Sequence, residues 1–342
     1  MTHDQLKLLL EQIKNPNKRN WILMVPNSLG ETVAVCGLAD SFVKTHGHGI
    51  TLVIPESHAF IPECYPNTFD RVVYLNLEVM RQFSVTGFIP PNFFSVDFPF
   101  NTWSKQNGDG RSFELHEIWI DSLGYSGLSF LDLYRYVLRL DWKAKFTAAK
   151  IPDKSYSEAN KLISGLNIKR NKTVVLFVGN NSNKPSPAYL WAQIAKLYFE
   201  KGYDVIVNKY GAMLLPEGLS IPEAKIVDIP LDMAIPICEY AGNVVSGANG
   251  FIVLALAANM DCNINVLLSN EVCYDYTNFL YKEMNFMSGC LQLVTPELTC
   301  NAKKLREWII PKQHDCLILD EIAHGIVFDV NNKHAITKTV KN

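Results

Sequence analysis

A protein of two tandem α/β units, each built on a mainly parallel sheet, is predicted by three features of the sequence. Unbroken apolar runs at 22–25, 50–54 and 71–75 have a helical pattern between the first two. Strands buried on both faces read this way, and the strand–helix–strand order makes the sheet parallel. The pattern restarts at 173–178 and 204–207, again around a helical stretch. The length of 342 residues lets each unit bury a core of its own. A basic, polar connector starting at Gly165 sets the expected boundary, with a first domain over 1–165 and a second over 166–342.

Residues 4–14 carry Leu6, Leu9, Leu10 and Ile13 at helical spacing. The apolar face of such a helix can lie against its own domain, a second subunit or a membrane. The first strand then ends at Pro26, and a polar turn with one glycine leads into a helix from about 31 to 46, closed by Gly47 and Gly49. This arrangement sets a single carboxylate, Glu31, at the carboxyl end of a strand, the edge at which open α/β sheets bind ligands. His46, His48 and His58 surround the second strand; their spacing guarantees no metal geometry, and they are read as surface or loop residues. Residues 83–103 interleave Phe83, Phe88, Phe93, Phe94, Phe98, Phe100 and Trp103 with three prolines. Aromatic rings suit the apolar faces of sugars, so Phe93, Phe94 and Trp103 are candidate acceptor contacts; a strand and loop pinned on the core is the competing reading. Residues 105–111 form a polar turn, 114–146 read as helices broken at 124–127, and a further helix is expected over 156–165.

In the second half the strand at 173–178 runs into Gly179-Asn-Asn-Ser-Asn-Lys184, followed by a helix over about 187–201. Backbone N–H groups and a helix N-terminus favour a phosphate at such a loop, with Lys184 adding charge. It is not a Walker A sequence, because Gly-Lys-Ser/Thr is absent. Strands follow at 226–229, 243–246 and 264–268, with a short helix over 231–240 and an apolar one over 251–258. The apolar helix must be buried, and the turn that starts it, Gly247-Ala-Asn-Gly250, is a second place where backbone amides suit a diphosphate. An aromatic segment at 274–286 covers the sheet edge or stacks on a base, and the polar tail after 330 is expected to fray.

The chain is 48% hydrophobic and 19% charged, with mean hydropathy +0.03. Its net charge of -2 gives no general attraction for nucleic acid or anionic lipid, so no nucleic-acid partner is expected. Eight cysteines, at 36, 64, 238, 262, 273, 290, 300 and 316, contain no Cys-x-x-Cys pair. That argues against zinc and for free thiols in a reducing compartment. No secretory signal is read at the N-terminus, and the longest apolar run, 251–258, is far short of the roughly 20 residues of a membrane-spanning helix. A cytoplasmic protein, at most peripheral at the inner membrane, is expected.

Four stretches, within about residues 21–270, together resemble the heptosyltransferase family of inverting glycosyltransferases. Asn27-Ser-Leu-Gly-Glu-Thr32 is similar to the family's Ser-Leu-Gly-Asp turn. The strand at 173–178 with Asn180, Asn181, Ser182 and Lys184 is similar to its donor-phosphate loop. Asn208-Lys-Tyr-Gly211 falls where the family has a glycine turn beside the nucleoside. Residues 229–250 follow the family's order of short helix, Ala-Gly, buried strand and glycine turn.

The resemblance implies the GT-B fold, two facing Rossmann-like domains with parallel sheets and an interdomain cleft. It implies transfer of a sugar from a nucleotide-diphospho-sugar to a hydroxyl of a glycan or glycolipid acceptor, with no cofactor and no metal. Glu31 is then the expected general base. Asn180, Asn181, Ser182, Lys184, Lys209, Gly211, Ala248, Asn249 and Gly250 are the expected donor contacts, and Ser28 and Gly30 join Phe93, Phe94 and Trp103 on the acceptor. Three departures stand out. Glu31 replaces aspartate and is one methylene longer, Ala248-Asn249-Gly250 stands for Asp-Thr-Gly, and the glutamate expected shortly after Gly211 is missing. A GT-B sugar-nucleotide epimerase and a catalytically silent nucleotide- or glycan-binding scaffold are the competing readings.

Overall fold

The computed structural model describes residues 1–26, 28–86, 92–97, 101–104, 113–114, 130–179, 186–209, 216, 218–247, 249–269, 304–311, 315–328 and 335–338. The chain divides into two compact units, passing from the first to the second between Lys150 and Ile151.

In the first unit α1 (His3–Ile13) precedes β1 (Trp21–Met24), α2 (Leu29–His46), β2 (Ile50–Pro55), α3 (Phe60–Glu63), β3 (Arg71–Leu75) and α4 (Leu77–Thr86). β4 (Phe93–Asp97), β5 (Asn101–Ser104), β6 (Phe113–Glu114) and α5 (Phe130–Val137) follow. Among the described residues the strand order is β3-β2-β1-β4-β5-β6. The first four pair in parallel, and β4 with β5 and β5 with β6 pair antiparallel. β2 is buried along its whole length, which is why it reads as an unbroken apolar run.

Thr2 caps α1, its hydroxyl accepting the Gln5 N–H while the Gln5 side chain accepts the Thr2 N–H. The helix buries Leu6, Leu10 and Ile13 against Ile22, Met24, Val53 and Phe93, so its apolar face belongs to its own unit. The opposite face of the sheet carries α2. There Trp21, Phe42 and Phe94 meet edge to face at 5.3–5.9 Å, a geometry worth about 0.5–1.5 kcal/mol per pair beyond burial.

The second unit runs α6 (Asp153–Leu166), β7 (Thr173–Phe177), α7 (Ala188–Glu200), β8 (Asp204–Asn208), β9 (Ala224–Val227) and α8 (Leu231–Ala241). It continues with β10 (Gly242–Gly247), α9 (Gly250–Ala257), β11 (Asn263–Ser269), β12 (Lys304–Ile310), α10 (Cys316–Phe328) and β13 (Ala335–Lys338). The strand order is β13-β12-β11-β10-β7-β8-β9, parallel except for β13. Two expectations are corrected here. The boundary lies at 150, not 165, because α6 is bound to the second unit by Tyr156 on Glu239 (3.1 Å) and by Lys225 on the Leu166 carbonyl (2.6 Å). The tail after 330 does not simply fray, since Ala335–Lys338 adds an edge strand to β12.

Both sheets reverse direction once. β1, β2 and β3 run out to one side and β4 returns on the other side of β1; β7, β8 and β9 do the same before β10 returns beside β7. Loops diverge at such a reversal, leaving a crevice at the carboxyl ends of the two flanking strands.

Candidate functional site

The first reversal lies between β1 and β4. α2 starts at Leu29, earlier than the expected 31, because Ser28 and Glu31 form a capping box: the Glu31 carboxylate accepts the backbone N–H of Ser28. Glu31 is therefore the third residue of the helix and only 8% exposed. Behind it, Thr32 Oγ1 lies 2.9 Å from His58 Nδ1, with both residues buried. Burial lowers the His58 pKa from 6.5 to about 4, so the ring is uncharged at neutral pH. Its expected placement as a surface or loop residue is corrected accordingly.

Tyr134 of α5 completes the surroundings of Glu31. The phenol is fully buried, and burial first, then the charge of Glu31 and a hydrogen bond to it, hold its pKa well above the ordinary value. A protonated phenol can only donate to the carboxylate.

Of the acceptor residues, Ser28 is exposed at the helix cap and Gly30 is buried in the first turn. Phe93 and Phe94 are corrected. Both are 1% exposed or less, because neighbouring residues on a strand face opposite sides of the sheet and here both sides are core. Phe93 stacks on Phe83 at 5.7 Å, and Phe94 lies against Trp21 and Phe42. Trp103 is in β5, paired with Ser95; its side chain lies outside the described residues.

The second reversal lies between β7 and β10, and the two nominated diphosphate loops leave from these two strands. Asn180, Asn181, Ser182, Lys184, Gly211 and Ala248 lie outside the described residues. Lys209 is exposed immediately after β8, its N–H held by the Val227 carbonyl at 2.8 Å. Asn249 caps α9: its Oδ1 accepts the Ile252 N–H at 3.2 Å and its Nδ2 donates to Ser246 Oγ at 3.0 Å. Its side chain thus serves the helix. Gly250 opens the helix, and Phe251 stacks on Phe177 at 4.1 Å, locking the start of α9 to the end of β7.

Sequence reasoning missed Tyr134, Thr32 and His58. The Ser28-x-x-Glu31 spacing was a readable capping box, whereas Tyr134 reaches Glu31 only through the fold. Among the described residues no group of three His, Cys, Asp or Glu could hold a metal ion, and no helix is long and apolar enough to cross a membrane.

No protein-family model and no curated protein matches the chain. Two solved structures are similar along most of it. E. coli ADP-heptose lps heptosyltransferase II matches at 12% identity over 90% of this chain and 99% of that one, with a TM-score of 0.53. The glycosyl transferase family 9 structure from Veillonella parvula DSM 2008 matches at 13% identity over 94% and 93%, also with a TM-score of 0.53. The α/β, GT-B fold class expected from the heptosyltransferase resemblance is the fold class of this chain.

Proposed function

We propose that the chain is an inverting glycosyltransferase that moves a sugar from a nucleotide-diphospho-sugar to a hydroxyl of a glycan acceptor in the cytoplasm, without a metal or other cofactor. The observation that supports this is the placement of Glu31 at the reversal of the first sheet, with β7 and β10, the strands from which the two candidate diphosphate loops leave, at the reversal of the second. In the proposed reaction Glu31 takes the proton of the acceptor hydroxyl as its oxygen attacks the anomeric carbon. The bond from that carbon to the diphosphate breaks on the opposite side, which inverts the configuration. The leaving diphosphate is held by backbone amides after β7 and β10, with charge from Lys184. A positioned base contributes about 10²–10⁴-fold, and fixed donors on the leaving group a comparable or larger factor.

The E. coli structure is of an enzyme named for ADP-heptose, so ADP-sugars are the first donors to try. A thermal-shift series with ADP-, GDP-, UDP- and CMP-sugars, followed by transfer with the stabilising donor in the presence of EDTA, tests the reading. Stabilisation by one nucleotide class and EDTA-insensitive transfer are expected. Binding without turnover would leave a nucleotide-binding scaffold, and no binding at all would overturn the donor site.

A further inference from the structure

An exposed aromatic pair of the first unit begins on α5, two residues beyond Tyr134. Tyr136 and Trp142 are 43% and 52% exposed, and their rings stack at 6.3 Å with planes 16° apart. Single exposed aromatics are ordinary, but a stacked pair on an ordered segment costs solvation with no return in core packing. The segment 138–150 that carries Trp142 has no regular secondary structure, yet it is fastened along its length. Leu140 N–H is bound by the Arg135 carbonyl (2.8 Å), Arg135 Nε binds the Ala144 carbonyl (2.9 Å), and Ser41 Oγ binds the Lys145 carbonyl (2.9 Å). Thr147 N–H reaches the Gly37 carbonyl (2.7 Å) and Lys150 N–H the Cys64 carbonyl (2.8 Å). Phe146 packs where Gly37 has no side chain.

The charge of this segment is opposite to that of the whole chain. Arg139, Lys143, Lys145 and Lys150 are all exposed, against one exposed acid, Asp141, whose Oδ1 accepts the Lys143 N–H at 2.7 Å. A chain with net charge -2 thus concentrates four cations and a Trp–Tyr pair within fifteen residues, 136–150. Trp and Tyr rings settle at the headgroup level of a bilayer, and lysines beside them are drawn to anionic lipid. Nucleic acid would satisfy the cations, but the rest of the chain, with 28 Lys and Arg against 33 Asp and Glu, offers a long polyanion no further attraction.

We propose that Tyr136, Trp142 and the lysines at 143, 145 and 150 form a docking surface for an anionic phospholipid membrane, which would hold the first unit against a bilayer. The surface goes beyond the transferase reading and stands apart from Glu31, so the two can fail separately. The test is co-sedimentation of the full chain with vesicles of phosphatidylcholine alone and of phosphatidylcholine with phosphatidylglycerol. Binding to the anionic vesicles, weakened about tenfold or more by Lys143→Glu/Lys145→Glu and by Trp142→Ala, is expected. All side chains changed are exposed, and unchanged thermal unfolding of each variant confirms that folding is intact. Equal sedimentation of the variants and the unsubstituted chain would overturn the proposal. So would equal binding to the neutral vesicles, no binding to either, or tight binding to a duplex DNA oligonucleotide in place of the vesicles. Loss of vesicle binding with nucleotide-sugar binding retained separates this surface from the transferase site.

Discussion

The Glu31 carboxylate accepts the backbone N–H of Ser28, so the proposed base is also the cap of the helix that carries it. One side chain then has two duties, and the two respond differently to substitution.

Glutamine serves a capping box as glutamate does, since its carbonyl oxygen accepts the same N–H. Glu31→Gln is therefore expected to unfold at nearly the temperature of the unsubstituted chain while losing about 10²-fold or more in transfer rate. Glu31→Ala should lose both, with about 1 kcal/mol of stability gone with the cap. Chemical denaturation and a transfer assay on the pair check this; Glu31→Gln within a few-fold of full activity would leave Glu31 a cap and nothing more.

Asn249 allows a comparable separation at the second sheet. Aspartate is as good a cap as asparagine but cannot donate to Ser246 Oγ, so Asn249→Asp should keep the cap and lose only about 0.5–1.5 kcal/mol with that one hydrogen bond. It also places a negative charge at the start of α9, where the diphosphate is proposed to sit. Titration calorimetry with the stabilising nucleotide should show affinity weakened about tenfold or more. Unchanged affinity would remove the α9 turn from the donor site.

His58 makes stability depend on pH. Its folded pKa, about 4, is below the unfolded value of 6.5 because burial disfavours the charged ring. Below pH 6.5 the unfolded chain takes up a proton that the folded chain refuses, so stability falls as pH drops from about 6.5 to about 4. The full effect of this one group is about 3 kcal/mol. Urea unfolding at pH 7 and pH 5 should show part of it, and His58→Gln should reduce the difference. An unaltered difference in the variant would assign the pH effect to other groups.

Gly37 is required by its neighbour. A Cβ there would lie 2.0 Å from the Phe146 ring, so Gly37→Ala should cost about 1–3 kcal/mol through forced repacking. Adding Phe146→Ala should relieve part of that cost relative to Phe146→Ala alone, a coupling that a double-mutant cycle measures. Additive losses would mean that the ring swings aside freely.

Local periodicity made much of the architecture legible. The apolar runs became β1, β2, β3, β7, β8, β10 and β11 within a few residues of their expected bounds; all but the half-buried edge strand β3 are largely buried, and strands buried on both faces leave an unbroken signal. Segment 231–240 is α8, and the apolar run 251–258 is α9 within one residue. β12 and α10 were not read, although Trp308 and Ile322 are fully buried. Polar Lys304, Arg306 and Glu307 interrupt the strand run, and Arg306 and Glu307 are themselves buried by the fold. The aromatic signal at 93–94 was real, but composition alone does not distinguish a sugar platform from a core packed on both sheet faces.

The sequence by itself determined the two parallel sheets, the strand after which each candidate loop leaves, and the carboxylate at the start of α2. These depend on short-range spacing: alternation, helical period and cap residues a few positions apart. Only the tertiary structure decided that Tyr134 serves Glu31, that Thr32 faces a buried neutral His58, and that α6 belongs to the second unit. Those relations join residues distant along the chain, or turn on burial, and burial is a property of the packed molecule that no short stretch of sequence contains.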